Sequence, residues 1–110
     1  MPSNLQSDTP MRLPETLHTA ILRAAQKSFG DVKVYLFGSR VFDDKIGGDI
    51  DLAIDATLPY EEFRLKKSQF LASLIREGYD LNFDVVPYHH KDPLFRAEIQ
   101  QNAIELTQTH

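Results

Sequence analysis

The chain has 110 residues, of which 42% are hydrophobic and 25% are charged. This length suits one domain with a core and excludes a second folded domain, and the composition is globular rather than disordered. Lys and Arg total 12 against 16 Asp and Glu, and the resulting formal charge of −4 disfavours general nucleic-acid binding. The absence of cysteine excludes disulfides, a thiol nucleophile and thiolate metal ligands.

The first ten residues, MPSNLQSDTP, are polar, contain two prolines and show no apolar periodicity. They predict a flexible leader over residues 1–12, followed by a single domain over residues 13–110. The sequence contains neither an apolar run of about 20 residues nor the pattern of a secretory signal. We therefore predict a cytoplasmic protein that does not bind membranes.

The first half of the domain predicts one helix and two strands. Apolar residues recur at helical spacing over residues 14–29, and Gly30 is suited to ending that helix. Residues 32–37 and 49–55 have the β-branched and alternating patterns of strands. About ten residues connect them, which is short for a parallel crossover, so we expect the two strands to pair antiparallel.

The second half predicts a helix, a strand and a helix. Residues 60–77 carry an apolar stripe that includes Phe70, Leu74 and Ile75, and residues 81–86 form a strand that Pro87 ends. The long crossover allows this strand to run parallel to the second one. Asp92 is predicted to cap a last helix whose stripe extends to Leu106. The predicted fold class is α/β, of the α+β type, with the order α-β-β-α-β-α and a mixed three-stranded sheet.

Two carboxylates on the second strand are the first candidates for chemistry. Alternation puts Asp49 and Asp51 on the face opposite the apolar residues, about 7 Å apart along the strand. Like charges this close raise each other's pKa unless a cation lies between them, and Mg²⁺ prefers carboxylate oxygens. The alternative is that both are on the solvated face of an amphipathic strand.

Two further features favour a site for phosphate chemistry. Gly38 and Ser39 follow the first strand, where free backbone N–H groups and a hydroxyl can bind phosphate oxygens, although a Gly-Ser pair is also an ordinary loop. Asp84 is an acid inside the otherwise apolar third strand, where an unpaired charge is costly. If the third strand lies beside the second, Asp84 joins the other two acids. This arrangement outlines a two-metal site for phosphoryl transfer.

The segment over residues 34–54 resembles a known family signature. Gly38-Ser39, nine further residues and then Asp49-Ile50-Asp51 are similar to the Gly-Ser-x9-Asp-x-Asp motif of the DNA polymerase β-type nucleotidyltransferases. In particular, the chain resembles the minimal nucleotidyltransferases, which are antitoxins paired with HEPN-domain ribonuclease toxins. The resemblance covers residues 32–86 in motif and implies the nucleotidyltransferase fold.

The resemblance implies roles for the three acids. Asp49 and Asp51 would ligate Mg²⁺, with two ions expected, and Asp84 would complete the metal site and accept the proton of the attacking hydroxyl. ATP would be the substrate. All three acids are present, so the sequence offers no reason to regard the site as inactive.

The resemblance also implies nucleotide-binding residues. Gly38 and Ser39 would hold the triphosphate. Arg40 is the next residue and could contact the triphosphate, or it could form a surface ion pair with Asp43 or Asp44.

Two functions of different classes follow. The first is an enzyme that transfers AMP from ATP to a protein hydroxyl, as active family members do to a tyrosine of the partner toxin. The second is a non-catalytic, nucleotide-binding antitoxin that neutralises its toxin by forming a complex. The partner in either case is a HEPN-type ribonuclease toxin, and we expect a homo- or hetero-oligomer without direct nucleic-acid binding.

Several other residues are weaker candidates. Basic residues of the second helix could approach phosphates or a partner, but such residues are typical of a solvated face: Arg64, Lys66 and Lys67. His89 and His90 are adjacent, point in different directions and lack the rest of a zinc site. Tyr35 and Phe37 are predicted to pack under a helix rather than to stack on adenine.

Overall fold

The computed structural model describes residues 13–37 and 50–107, and the predicted leader over residues 1–12 lies outside these ranges. Within them the chain forms three helices and four strands, and the predicted α/β class is confirmed. The elements are α1 (Glu15–Ser28), β1 (Lys33–Phe37), β2 (Ile50–Asp55), α2 (Tyr60–Arg76), β3 (Phe83–Pro87), α3 (Pro93–Asn102) and β4 (Ile104–Leu106).

The strands form one mixed sheet in the order β3-β2-β1-β4 among the described residues. β1 pairs antiparallel with both β2 and β4, while β2 and β3 are parallel and are joined by the α2 crossover. Both predicted strand orientations are therefore confirmed. The parallel pair brings together the two strands that carry Asp51 and Asp84.

The helix boundaries follow local chemistry. Gly30 has φ +94° directly after α1, and Gly78 has φ +99° after α2, both in the left-handed region that glycine adopts without a Cβ penalty. Asp92 caps α3, since its Oδ1 accepts a hydrogen bond of 3.1 Å from the backbone N–H of Leu94. The predicted boundary residues Gly30 and Asp92 are confirmed.

The prediction of one continuous last helix through Leu106 is wrong. α3 ends at Asn102, Ala103 is extended with ψ 145°, and β4 follows as a fourth strand that pairs with β1. Leu106 lies opposite Val34 and packs into the same core. The sequence of this stretch fits helical spacing and strand alternation equally. The strand is favoured because its pairing with β1 provides hydrogen-bond partners for backbone N–H and C=O groups of β1 that would otherwise be unpaired at the edge of the sheet.

Two smaller predictions are also corrected. Ile75 is 56% exposed, whereas its neighbour Leu74 is buried, because adjacent residues of a helix point about 100° apart and only one can face the sheet. β3 begins at Phe83 rather than at Leu81, which is 47% exposed, and Pro87 is the last residue of the strand rather than the residue after it.

The sheet separates two apolar clusters. We call the side covered by α1 and α2 the α1/α2 face, and the side covered by α3 the α3 face. The α1/α2 face holds the larger cluster, centred on Phe70, Ile21 and Leu52, and the α3 face holds a small one around Phe37 and Ile99. No helix in the described ranges is long and apolar enough to cross a membrane.

Candidate active site

The alternation of β2 directs its acids to the α3 face. Leu52 and Ile54 are fully buried in the large cluster on the α1/α2 face. Ala53, one residue out of phase, packs instead in the small cluster under α3. Asp51 and Asp55 share the phase of Ala53, so their side chains belong to the α3 face, as the sequence predicts for Asp51.

Asp51 and Asp84 are register partners in the parallel pair β2–β3. Adjacent strands are about 4.8 Å apart, and residues at the same register of a pair point to the same face. The two carboxylates therefore lie side by side at the second residue of each strand. Asp51 is half-buried and Asp84 is exposed, so the pair is open to solvent from the β3 side. The predicted neighbourhood of these two acids is confirmed, while their roles stay predictions.

Phe37 of β1 lies beside the acid pair in the sheet. It is the register partner of Asp51 on β1 and is only 7% exposed, because Phe95 of α3 packs against it at a centroid distance of 6.2 Å. The prediction that Phe37 packs under a helix is confirmed. Gly38, the first residue of the predicted phosphate-binding turn, follows Phe37 directly in the chain.

Two tyrosines stack on each other further along the α3 face. Tyr35 stacks on Tyr88 with ring centroids 4.1 Å apart and planes 17° apart. Burial raises the pKa of the Tyr35 hydroxyl, and the nearby Tyr88, Glu105 and Asp55 raise it further. The raised pKa favours the neutral form of Tyr35, and Tyr88 covers one face of its ring.

The donor chemistry of the acid pair suits a hard divalent cation. Two carboxylates on adjacent rigid strands offer oxygen ligands of the kind that Mg²⁺ prefers. Within residues 13–37 and 50–107, no three His, Cys, Asp or Glu side chains converge as a metal site. The predicted third ligand, Asp49, and the predicted nucleotide-binding residues Gly38, Ser39 and Arg40 all lie outside the described residues.

A hollow of about 390 Å³, with both polar and apolar residues in its walls, opens beside Asp84. Its walls come from the C-terminal half of α2 and from the start of β3: Leu71, Ile75, Leu81, Asn82, Phe83 and Asp84. Ile75 and Leu81 are the two residues whose burial the sequence overestimates, and both contribute exposed apolar surface here. The hollow adjoins Asp84 from the α2 side of β3, whereas the register of β3 assigns the Asp84 side chain to the α3 face.

The basic residues of α2 lie away from the acid pair. Arg64 and Lys67 line a second pocket, of about 410 Å³, where the ends of β2 and β3 meet the start of α2. Val85 in its wall directly follows Asp84 in β3, but it packs in the large cluster on the α1/α2 face and so points away from the acid pair. Sequence reasoning missed this pocket because its third basic residue, Lys91, is 24 residues from Lys67 in the chain, and only the fold brings them together.

The histidines also lie at this far end of the sheet. The Nε2 of His89 is 3.1 Å from the Oδ1 of Asp55, which ties the turn after β3 to the end of β2. The Nδ1 of His90 accepts a hydrogen bond of 3.0 Å from the backbone N–H of Asp92. Both contacts are structural, and the described residues assemble no zinc site around either ring.

The family comparison agrees with this geometry. The family model described as "Polymerase beta, Nucleotidyltransferase" matches residues 20–110. The chain belongs to this family, and a nucleotidyltransferase-type function is what its membership supports. No curated protein matches the chain.

Proposed function

We propose that this protein is a Mg²⁺-dependent nucleotidyltransferase that transfers AMP from ATP to a protein hydroxyl, namely a tyrosine of a partner HEPN ribonuclease toxin. The observation that carries the proposal is the side-by-side placement of Asp51 and Asp84 on parallel strands, in a chain of the polymerase beta nucleotidyltransferase family. In this role the protein is the antitoxin of its partner.

The acid pair has the chemistry that the reaction requires. Asp49, Asp51 and Asp84 would hold two Mg²⁺ ions, which would supply charge neutralisation and activation of the attacking hydroxyl. Asp84, which is exposed at the edge of the pair, would take the proton of that hydroxyl. The hydroxyl oxygen bonds to the α-phosphorus of ATP, the bond to the bridging oxygen breaks, and pyrophosphate leaves.

The hollow beside Asp84 supports a protein as the acceptor. A segment that carries the acceptor tyrosine must reach Asp84, and the neighbouring surface exposes the apolar side chains of Ile75 and Leu81. Apolar side chains at an exposed site favour contact with another protein surface. Gly38, Ser39 and Arg40 would hold the triphosphate.

The second candidate is an antitoxin that acts by binding alone, with a nucleotide site that no longer turns over. The exposed apolar residues favour it as much as the first candidate, because they would bury in a complex whether or not transfer occurs. The two candidates differ only in whether the three acids are needed for neutralisation.

The deciding experiment labels the partner. The purified chain, Mg²⁺ and ATP labelled at the α-phosphate are incubated with the product of the neighbouring open reading frame, beside an Asp49→Asn, Asp51→Asn variant. We expect label on the partner with the native chain and none with the variant. Circular dichroism and co-purification confirm that the variant folds and still binds.

Two results would contradict the proposal. Equal labelling by the double variant means that the acids do not carry the reaction. If the complex silences the toxin without any label, and the double variant silences it equally well, the protein is an antitoxin that acts by binding alone.

A further inference from the structure

The pocket at the far end of the sheet has a charge opposite to that of the chain. We call it the cation-lined pocket, because its wall carries Arg64 and Lys67 of α2 and Lys91 of the turn after β3. None of the described residues that line it is acidic, although the whole chain has a formal charge of −4. A local concentration of positive charge on an acidic protein favours the binding of an anion at that place.

The basic side chains of the cation-lined pocket form few ion pairs with the described residues. Neither Lys67 nor Lys91 forms an ion pair with any described residue. Arg64 is 3.4 Å from Glu61, in a pair whose side chains are 62% and 82% exposed, and such surface pairs contribute little. All three cations are therefore available to a ligand.

The floor of the same pocket is apolar. Phe63 is 6% exposed and Val85 is 1% exposed, and together they close the pocket from below. Tyr60 stands at the rim with 72% of its surface exposed, so its ring has a free face. A volume of about 410 Å³ is within the range of small-ligand sites, which combine an apolar lining with a few placed polar groups.

We propose that the cation-lined pocket binds a small organic phosphate, specifically a nucleoside phosphate, with the phosphate held by Arg64, Lys67 and Lys91 and the base placed against Tyr60 and the apolar floor. Guanidinium and ammonium groups recognise phosphate oxygens, and an aromatic ring stacks on a base. This site is separate from the acid pair and does not depend on the proposed transfer to a protein.

The charge distribution favours a small ligand over a nucleic-acid strand. A strand extends beyond a pocket of this size and would meet the acidic remainder of the chain, which repels a polyanion. A single nucleoside phosphate needs only the three local cations. Inorganic phosphate would use the cations but would gain nothing from Phe63 and Tyr60.

The test uses the full chain without Mg²⁺ and with a chelator, so that the acid pair does not hold a metal-bound nucleotide. AMP, adenosine and inorganic phosphate are titrated separately, and amide resonances are followed by NMR. With AMP we expect shifts at Tyr60, Lys67 and Lys91 and none at Asp51 or Asp84. AMP should bind at least about tenfold tighter than adenosine or inorganic phosphate, because only AMP has both parts.

A matched pair of variants isolates the cations. Lys67→Gln with Lys91→Gln removes two pocket charges and should weaken AMP binding at least about tenfold. Lys27→Gln with Lys66→Gln removes the same charge from residues that do not line the pocket, and it should change affinity less than about twofold. Equal weakening in both pairs, shifts confined to the acid pair, or no shifts in the native chain would each overturn the proposal.

Discussion

The two faces of the sheet differ, because one holds most of the apolar core and the other carries the acid pair. The α1/α2 face buries most of the core, with Phe70, Leu74 and Ile21 fully inaccessible to solvent. The α3 face has one short helix over a small aromatic and aliphatic cluster, and its β2–β3 edge presents Asp51 and Asp84. The same β2 strand contributes to both faces, since successive side chains alternate.

This difference indicates which face of the sheet can accommodate charged side chains. Placing carboxylates beside each other opposes folding, so the opposite face has to stabilise the strands that hold them. Stability should therefore depend on the α1/α2 face and activity on the α3 face. Substitutions that separate the two properties test this division directly.

The largest effect on stability is expected from Phe70→Ala on the α1/α2 face. The substitution opens a cavity in the large cluster and should lower the free energy of unfolding by about 3–5 kcal/mol. Phe95→Ala on the α3 face is the matched change, and it should cost less because Phe95 is only partly buried. Urea denaturation of both variants measures the difference. Equal losses would show that the two faces contribute alike.

The largest effect on activity is expected from Asp84→Asn. In the proposed mechanism this variant loses the proton acceptor, which should slow nucleotidyl transfer about a hundredfold or more, corresponding to about 3 kcal/mol in the barrier. The free energy of unfolding should change by less than about 1 kcal/mol, because Asp84 is exposed. Asp80→Asn, at another exposed acid nearby, serves as the control. Transfer at the native rate in Asp84→Asn would remove this residue from the site.

A smaller effect is expected at the start of α3. Asp92→Ala removes the side-chain cap of the Leu94 N–H and should cost about 1 kcal/mol. Hydrogen exchange should accelerate in α3 more than in α2, because the cap supports only the helix on the α3 face. Glu98→Ala, an exposed position within α3, should leave exchange nearly unchanged. Uniform acceleration across the whole chain would mean that α3 does not open separately.

The smallest effect is a pH dependence on the α3 face. The pKa of Tyr35 is raised in the fold, first by burial and then by Tyr88 and nearby acids, so folding favours its neutral form. Its contribution to stability is complete below the ordinary tyrosine pKa of about 10 and is lost as the pH rises through the higher folded value. Tyr35→Phe should therefore lose less stability than the native chain between neutral pH and strongly alkaline pH. Tyr60→Phe, at an exposed residue, should follow the native curve.

Local patterns in the sequence were sufficient to predict most elements. The helix ended by Gly30, the cap at Asp92 and the alternation of β2 each follow from chemistry within a few residues. The short connection before β2 and the long one before β3 predicted both strand orientations, and these place Asp51 beside Asp84. The roles of Asp49, Gly38, Ser39 and Arg40 stay predictions.

The predictions from the sequence were wrong where two local conformations have similar free energies. The stretch through Leu106 fits either a helix or a strand, and the choice depended on the unpaired edge of β1, which no local window contains. Ile75 fits the apolar stripe of α2, but no element within residues 13–37 and 50–107 covers it, and it is 56% exposed.

The sequence by itself determined the fold class, the family and the phase of the acids on β2, because each depends on short-range spacing. Only the tertiary structure decided that β4 completes the sheet and that Lys91 joins Arg64 and Lys67 around one pocket. The physical reason is that strand pairing and pocket formation join residues distant in the chain, and their free energy comes from contacts that exist only after the chain has folded.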